Sequence, residues 1–101
     1  MATVRQTEAY ERWFEKLRDR RAKARIAVRI RRLSLDNPGD VRRVGKSVSE
    51  LRIDYGPGYR VYLVERSPKE VVLLNGGVKR TQEQDILRAH EMARRIRKSE
   101  H

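Results

Sequence analysis

Two histidines and no cysteine leave this 101-residue chain with few of the usual catalytic groups. His90 falls in a helical pattern near the end and His101 is the final residue. His90 is expected on a helix surface or partly buried, not at a reacting centre. The sequence holds no Ser-His-Asp array, phosphate-binding glycine loop, dinucleotide fingerprint or metal-ligand cluster. Any reaction must therefore rest on Arg, Lys, Tyr and carboxylates. One reaction class suits that inventory. RNA brings its own nucleophile, the 2′-hydroxyl beside each phosphate. A protein accelerates cleavage by aligning that hydroxyl and stabilising charge on the phosphorane and the leaving oxygen. Arg stays protonated, and its planar fork grips two phosphate oxygens. Losing one such contact from a dry site costs roughly 2.7–4 kcal/mol of transition-state stabilisation.

The cations best placed for this work are Arg60, Arg52, Lys79 and Arg80. Arg60 follows Gly58-Tyr59 at the start of an expected strand, where a side chain can leave the sheet beside a turn. Arg52 lies on the preceding strand, opposite in phase to Leu51 and Ile53. Lys79 and Arg80 follow Gly76-Gly77, just before a helix N-terminus that itself favours anions. A shared phosphate site and a set of solvated surface cations both remain open at this point.

The elements that must position them follow from periodicity. Residues Ala2 to Gln6 suggest a short strand. Thr7 offers a helix N-cap, with Tyr10, Trp13, Phe14 and Leu17 on one apolar stripe. Asp19 is the expected cap of a second helix running to about Leu35, with Ala22, Ile26, Ile30 and Leu33 buried. A break near Arg18 to Arg20 would make the pair an antiparallel hairpin, the alternative being one bent helix. Asn37-Pro38-Gly39-Asp40 ends this region. Leu51, Ile53 and Tyr55 then alternate with polar residues, Gly56-Pro57-Gly58 turns the chain, and Tyr59 to Val64 returns as a strand. After a turn at Ser67-Pro68-Lys69, Val71 to Leu74 reads as a central strand, broken by Gly76-Gly77. Thr81 with Gln84 has capping-box spacing for a third helix, whose end from Arg94 to His101 is expected to fray. The order strand, two helices, three strands, helix predicts one α+β domain over residues 1–101, its helices packed on a small, mainly antiparallel sheet.

Charge narrows the partners. The 25 Lys and Arg against 14 Asp and Glu give a formal net charge of +11, which concentrates polyanions near the surface. The excess is +7 over residues 1–50 and +4 over residues 51–101, so it is spread over folded structure and not confined to a tail. The second helix carries Arg21, Lys23, Arg25, Arg29 and Arg32, a basic face suited to RNA. No apolar run approaches the ~18 residues of a membrane span, and no signal-peptide pattern opens the chain. A cytoplasmic location is expected.

The stretch Glu50-Leu51-Arg52-Ile53-Asp54-Tyr55-Gly56-Pro57-Gly58-Tyr59-Arg60-Val61-Tyr62 resembles the hairpin of the RelE/ParE toxin superfamily, most closely its HigB-like, phage-type addiction-module-killer branch. The segment from Leu73 to Ile86 is similar to that branch's second signature, and the helical segment from Arg20 to Ile26 also fits. The resemblance implies a RelE-like microbial RNase fold and a type II toxin held inactive by a cognate antitoxin protein. It implies ribosome-dependent cleavage of mRNA by in-line 2′-hydroxyl attack, with no metal and no cofactor. By position, Arg60 matches the phosphate and transition-state contact, Arg52 an RNA contact, and Lys79 or Arg80 the cation that stabilises the phosphate or leaving group. Asp54 stands near where some members carry a second basic residue, and is either a proton acceptor or a salt-bridge partner. The C-terminal tyrosine or histidine of several relatives has no counterpart, since Asp85 and Ile86 occupy that region. Asn75, Val78 and Arg80-Thr81 replace the branch's usual Cys, Asp and Ser-Ser, which leaves the general base unassigned.

Two other readings share the same sequence. A ParE-like inhibitor would poison DNA gyrase without catalysis, and a non-toxic basic module would bind nucleic acid and cut nothing. Ribosome-dependent mRNA cleavage is the expected activity.

Overall fold

The computed structural model describes residues 1–98, so His101 lies outside the described residues. Thr7 caps helix α1 (Glu8–Lys16), its hydroxyl accepting from the Tyr10 amide at 3.1 Å. The apolar stripe then drives Tyr10, Trp13 and Phe14 against the sheet. Three residues later Asp19 caps α2 (Arg20–Ser34), its carboxylate accepting from the amides of Arg21 at 2.9 Å and Ala22 at 3.2 Å. The two helices are thus separate, each started by a side chain legible in the sequence.

Five strands form one mixed sheet in the order β1-β5-β4-β3-β2. β1 (Thr3–Gln6) runs parallel to β5 (Glu70–Val78), while β2 (Val41–Arg43), β3 (Val48–Ile53) and β4 (Tyr59–Ser67) pair antiparallel in turn. Sequence periodicity does not reveal β2, an edge strand of three residues with Val41 as its only apolar member. β5 is interior but β4 holds the centre. β5 also continues through Gly76 and Gly77, where the sequence suggested a break. These glycines serve close approach instead. A Cβ on Gly76 would collide with the Trp13 indole, and one on Gly77 with the Asp85 carboxylate.

Alternation along the strands sends side chains to opposite faces. Leu51, Ile53, Val61, Leu63 and Leu73 meet α1 and α2 on one face. Val48, Tyr62, Val64, Val72 and Leu74 meet Ala89 and Ala93 of α3 (Gln82–Lys98) on the other. A single 3₁₀ turn, Lys79–Thr81, joins β5 to α3. The helix begins at Gln82, beside the expected start near Thr81, and the Thr81 hydroxyl donates to Asp85 at 2.6 Å rather than pairing with Gln84. Arg94 to Lys98 are helical rather than frayed. No described helix is long and apolar enough to cross a membrane. The result is the α+β arrangement that the element order implied, with one strand more.

Candidate functional site

The turn between β3 and β4 builds a cationic groove. Gly56 and Gly58 take positive φ values of 57° and 80°, conformations that L side chains rarely adopt. A Cβ on Gly58 would stand only 3.1 Å from Cβ of Lys79 and 3.5 Å from Nη1 of Arg60, so glycine is what lets these two cations converge. The Lys79 amide donates to the Pro57 carbonyl at 3.4 Å, fixing the end of β5 against the turn. Arg52 and Arg60 are direct register partners across β3 and β4. Arg52, Arg60 and Lys79, with Asp54, Asp40 and the glycine turn, line a groove of about 510 Å³. Arg80 lies elsewhere. It borders a neighbouring depression of about 470 Å³ that runs from Lys79 to Gln84, so Lys79 is the residue common to both. Asp54 is exposed on the groove wall.

Beneath the cations sits a carboxylate that composition and motif spacing did not single out. Glu50 is 0% exposed, two residues from Val48 and therefore on the α3 face. Its Oε2 accepts from Gln82 Nε2 at 2.7 Å. Its Oε1 faces the Nε atoms of Arg42 at 3.7 Å, Arg52 at 3.9 Å and Arg60 at 3.9 Å. These are ion pairs beyond hydrogen-bond length, and both Glu50 Oε1 and Arg60 Nε are buried without a hydrogen-bond partner. At an effective dielectric near 20, the buried Glu50–Arg60 pair is worth roughly 4 kcal/mol before desolvation. The pairs to Arg52 and Arg42, whose side chains are 37% and 58% exposed, are worth less because solvent screens them. Arg60 itself is 5% exposed. Tyr62, the register partner of Glu50, is fully buried, and burial pushes its phenol well above the ordinary range with the Glu50 charge adding to the effect. In the sequence Glu50 shares its strand phase with Arg52, so both read as a solvated face; only the docking of α3 encloses one of them.

The basic helix divides by role. Arg21, Arg25 and Arg32 are exposed, with the Arg25 guanidinium 4.7 Å from the Tyr55 ring centroid. Lys23 is half-buried, its ammonium 5.2 Å from the Phe14 ring centroid. Arg29 turns inward. It donates to the carbonyls of Arg52 at 2.6 Å, Pro38 at 3.0 Å and Asp40 at 3.2 Å, and burial lowers its pKa. Its guanidinium is thus committed to the backbone and braces the groove from behind. His90 is half-buried, its Nε2 2.9 Å from the Val44 carbonyl and its ring against Gly45. Among the described residues no three His, Cys, Asp or Glu side chains gather as a metal site.

Chemically, the groove offers fixed positive charge, two exposed carboxylates (Asp40 and Asp54) and no imidazole. That arrangement can hold a phosphate and neutralise charge developing on it. No family model matches the chain. Across 93 residues, covering 92% of this chain and 94% of the relative, it is 44% identical to an uncharacterized protein of Haemophilus influenzae. At that identity and coverage the chain belongs to the same family as the Haemophilus influenzae protein.

Proposed function

We propose that this protein is the toxin of a type II toxin–antitoxin pair, a cytoplasmic, ribosome-dependent mRNA endonuclease with a RelE-like fold. The observation that supports this reading is the convergence of Arg52, Arg60 and Lys79 on one groove between the glycine turn and the start of α3. In the proposed reaction the RNA 2′-oxygen attacks the adjacent phosphorus while the bond to the 5′-oxygen breaks. The products are a 2′,3′-cyclic phosphate and a 5′-hydroxyl. Arg60 and Arg52 hold the non-bridging oxygens, and Lys79 stands at the departing 5′-oxyanion, which takes a proton from solvent to become the 5′-hydroxyl. Of the two exposed carboxylates that line the groove, Asp40 and Asp54, Asp54 is the one assigned to accept the 2′-hydroxyl proton. Arg21, Lys23, Arg25 and Arg32 contact ribosomal RNA, where charge matters more than sequence. The partner that restrains the toxin is an acidic antitoxin.

Induction in cells followed by primer extension on abundant transcripts tests the reading. The wild type should arrest growth and cut translated mRNA. Arg60→Ala should lower cleavage per folded molecule by roughly two to three decades, the cost of one oxyanion contact, and should also lower the melting temperature because Glu50 loses a buried partner. Equal toxicity in Arg60→Ala would remove Arg60 from the mechanism. Intact transcripts accompanied by a DNA damage response would replace the endonuclease with the non-enzymatic gyrase inhibitor, and salt-sensitive RNA binding with no arrest would leave only a binding module.

A further inference from the structure

Glu50 does not line the groove, yet it faces Arg42, Arg52 and Arg60 at once. Being 0% exposed, it cannot reach a substrate oxygen, so it is no candidate for the base. Stability alone gives no account of it either. A buried carboxylate carries a heavy desolvation cost, and well-packed apolar replacements of buried ion pairs are often neutral or stabilising. Apolar surroundings are at hand, since Val48 and Val64 share its face.

The atoms that meet are informative. Glu50 Oε1 lies toward the Nε edge of Arg60, while the terminal nitrogens of Arg60 lie beside Gly58, a wall of the groove. A guanidinium has an Nε side and a terminal pair. An anion on the Nε side leaves Nη2 for a phosphate, while Nη1 donates only a long 3.5 Å hydrogen bond to the Tyr59 carbonyl. Arg52 meets the same oxygen through its own Nε. As direct cross-strand partners, Arg52 and Arg60 would otherwise repel. Gln82, first residue of α3, pins the other carboxylate oxygen.

We propose that Glu50, tethered by Gln82, is the positioning residue of this site: a buried anion that turns the Arg52 and Arg60 forks outward onto a single phosphate. This rests on the endonuclease reading for its catalytic consequence, but not for the orientation itself.

The test compares Glu50→Gln, which keeps shape and removes charge, with wild-type protein on translating ribosomes and by nitrogen-15 NMR of arginine Nε–H groups. Glu50→Gln should lower kcat at least tenfold with KM unchanged or lower, because the groove becomes more positive but less ordered. The Arg60 Nε–H resonance should shift and broaden, and its response to added inorganic phosphate should weaken. A residue that only supports the fold would lower the melting temperature and the active fraction while leaving kcat per folded molecule intact, and that result overturns the proposal. So does a Glu50→Gln protein that matches wild type in both readouts. If Glu50→Gln does not fold, Gln82→Ala keeps the carboxylate and removes only its tether. A smaller fall in kcat with an altered Arg60 resonance then supports the proposal, and no change in either overturns it. If the wild type cuts no mRNA, the endonuclease reading fails by itself, and the Arg60 resonance in the two variants still decides whether Glu50 orients the cation.

Discussion

Two adjacent glycines set the closest packing near the site. Gly76 lies under the Trp13 ring and Gly77 under the carboxylate of Asp85. The two contacts differ in how far they can give. Trp13 is held by Tyr10 at 5.7 Å and Tyr59 at 6.4 Å between ring centroids, so its indole has little room to move. Gly76→Ala is therefore expected to destabilise by about 1–3 kcal/mol, the usual cost of overpacking, seen as a lower urea midpoint. Asp85 can rotate away, but only by giving up the 2.6 Å hydrogen bond from Thr81. Gly77→Ala should accordingly cost less, about 0.5–1.5 kcal/mol. Equal losses in the two variants would contradict this account of Trp13 as the rigid partner. The pair also explains why β5 reads as broken in sequence. Consecutive glycines usually mark a turn, and the partners that require them here, Trp13 and Asp85, sit on two different helices.

Among the elements, α2 is fixed at its start by Asp19 and farther along by Arg29. The Asp19 carboxylate has its pKa lowered chiefly by the hydrogen bond from the Ala22 amide, with the Tyr55 hydroxyl donating to it at 3.0 Å. A depressed folded-state pKa means that its contribution is present above the ordinary value of 3.8 and is lost as pH falls through the folded value. Asp19→Ala should thus melt below wild type at neutral pH, and the gap should close on acidification below about pH 4. A gap that persists unchanged in acid would show that the charge is not what matters. Arg29→Gln should cost about 2–3 kcal/mol, because three carbonyls lose a charged donor at the back of the groove. These two residues mark how far the chain can be read in advance. Asp19 acts on amides two and three residues away, so its role is visible in local sequence. Arg29 shares the composition of the exposed helix face but serves a loop and a strand end brought to it by tertiary packing. Glu50 is hidden in the same way, since its enclosure depends on α3, whose first residue lies 32 positions downstream. The glycine turn and the strand-paired arginines, by contrast, follow from hairpin register alone.

For the molecule as a whole, the net charge of +11 makes binding to any polyanion strong at low salt, so affinity by itself distinguishes little. The salt dependence does distinguish. Each phosphate neutralised on a single strand contributes about −0.7 to the slope of log K against log salt. Arg21 and Arg32 are exposed on α2, away from the groove, whereas Arg29 on the same helix is tied to backbone carbonyls. If the helix contributes phosphate contacts, Arg21→Gln with Arg32→Gln should flatten the slope by about 1.4, leave the melting temperature unchanged and spare kcat at saturating substrate. Arg29→Gln should do the reverse, lowering the melting temperature and leaving the slope as in wild type. Fluorescence anisotropy of a labelled single-stranded RNA, titrated between about 50 and 200 mM salt, reads both variants in the range where counterion release dominates. A double variant with the wild-type slope would confine phosphate binding to the groove, and the outer basic face would then serve the protein's solubility alone.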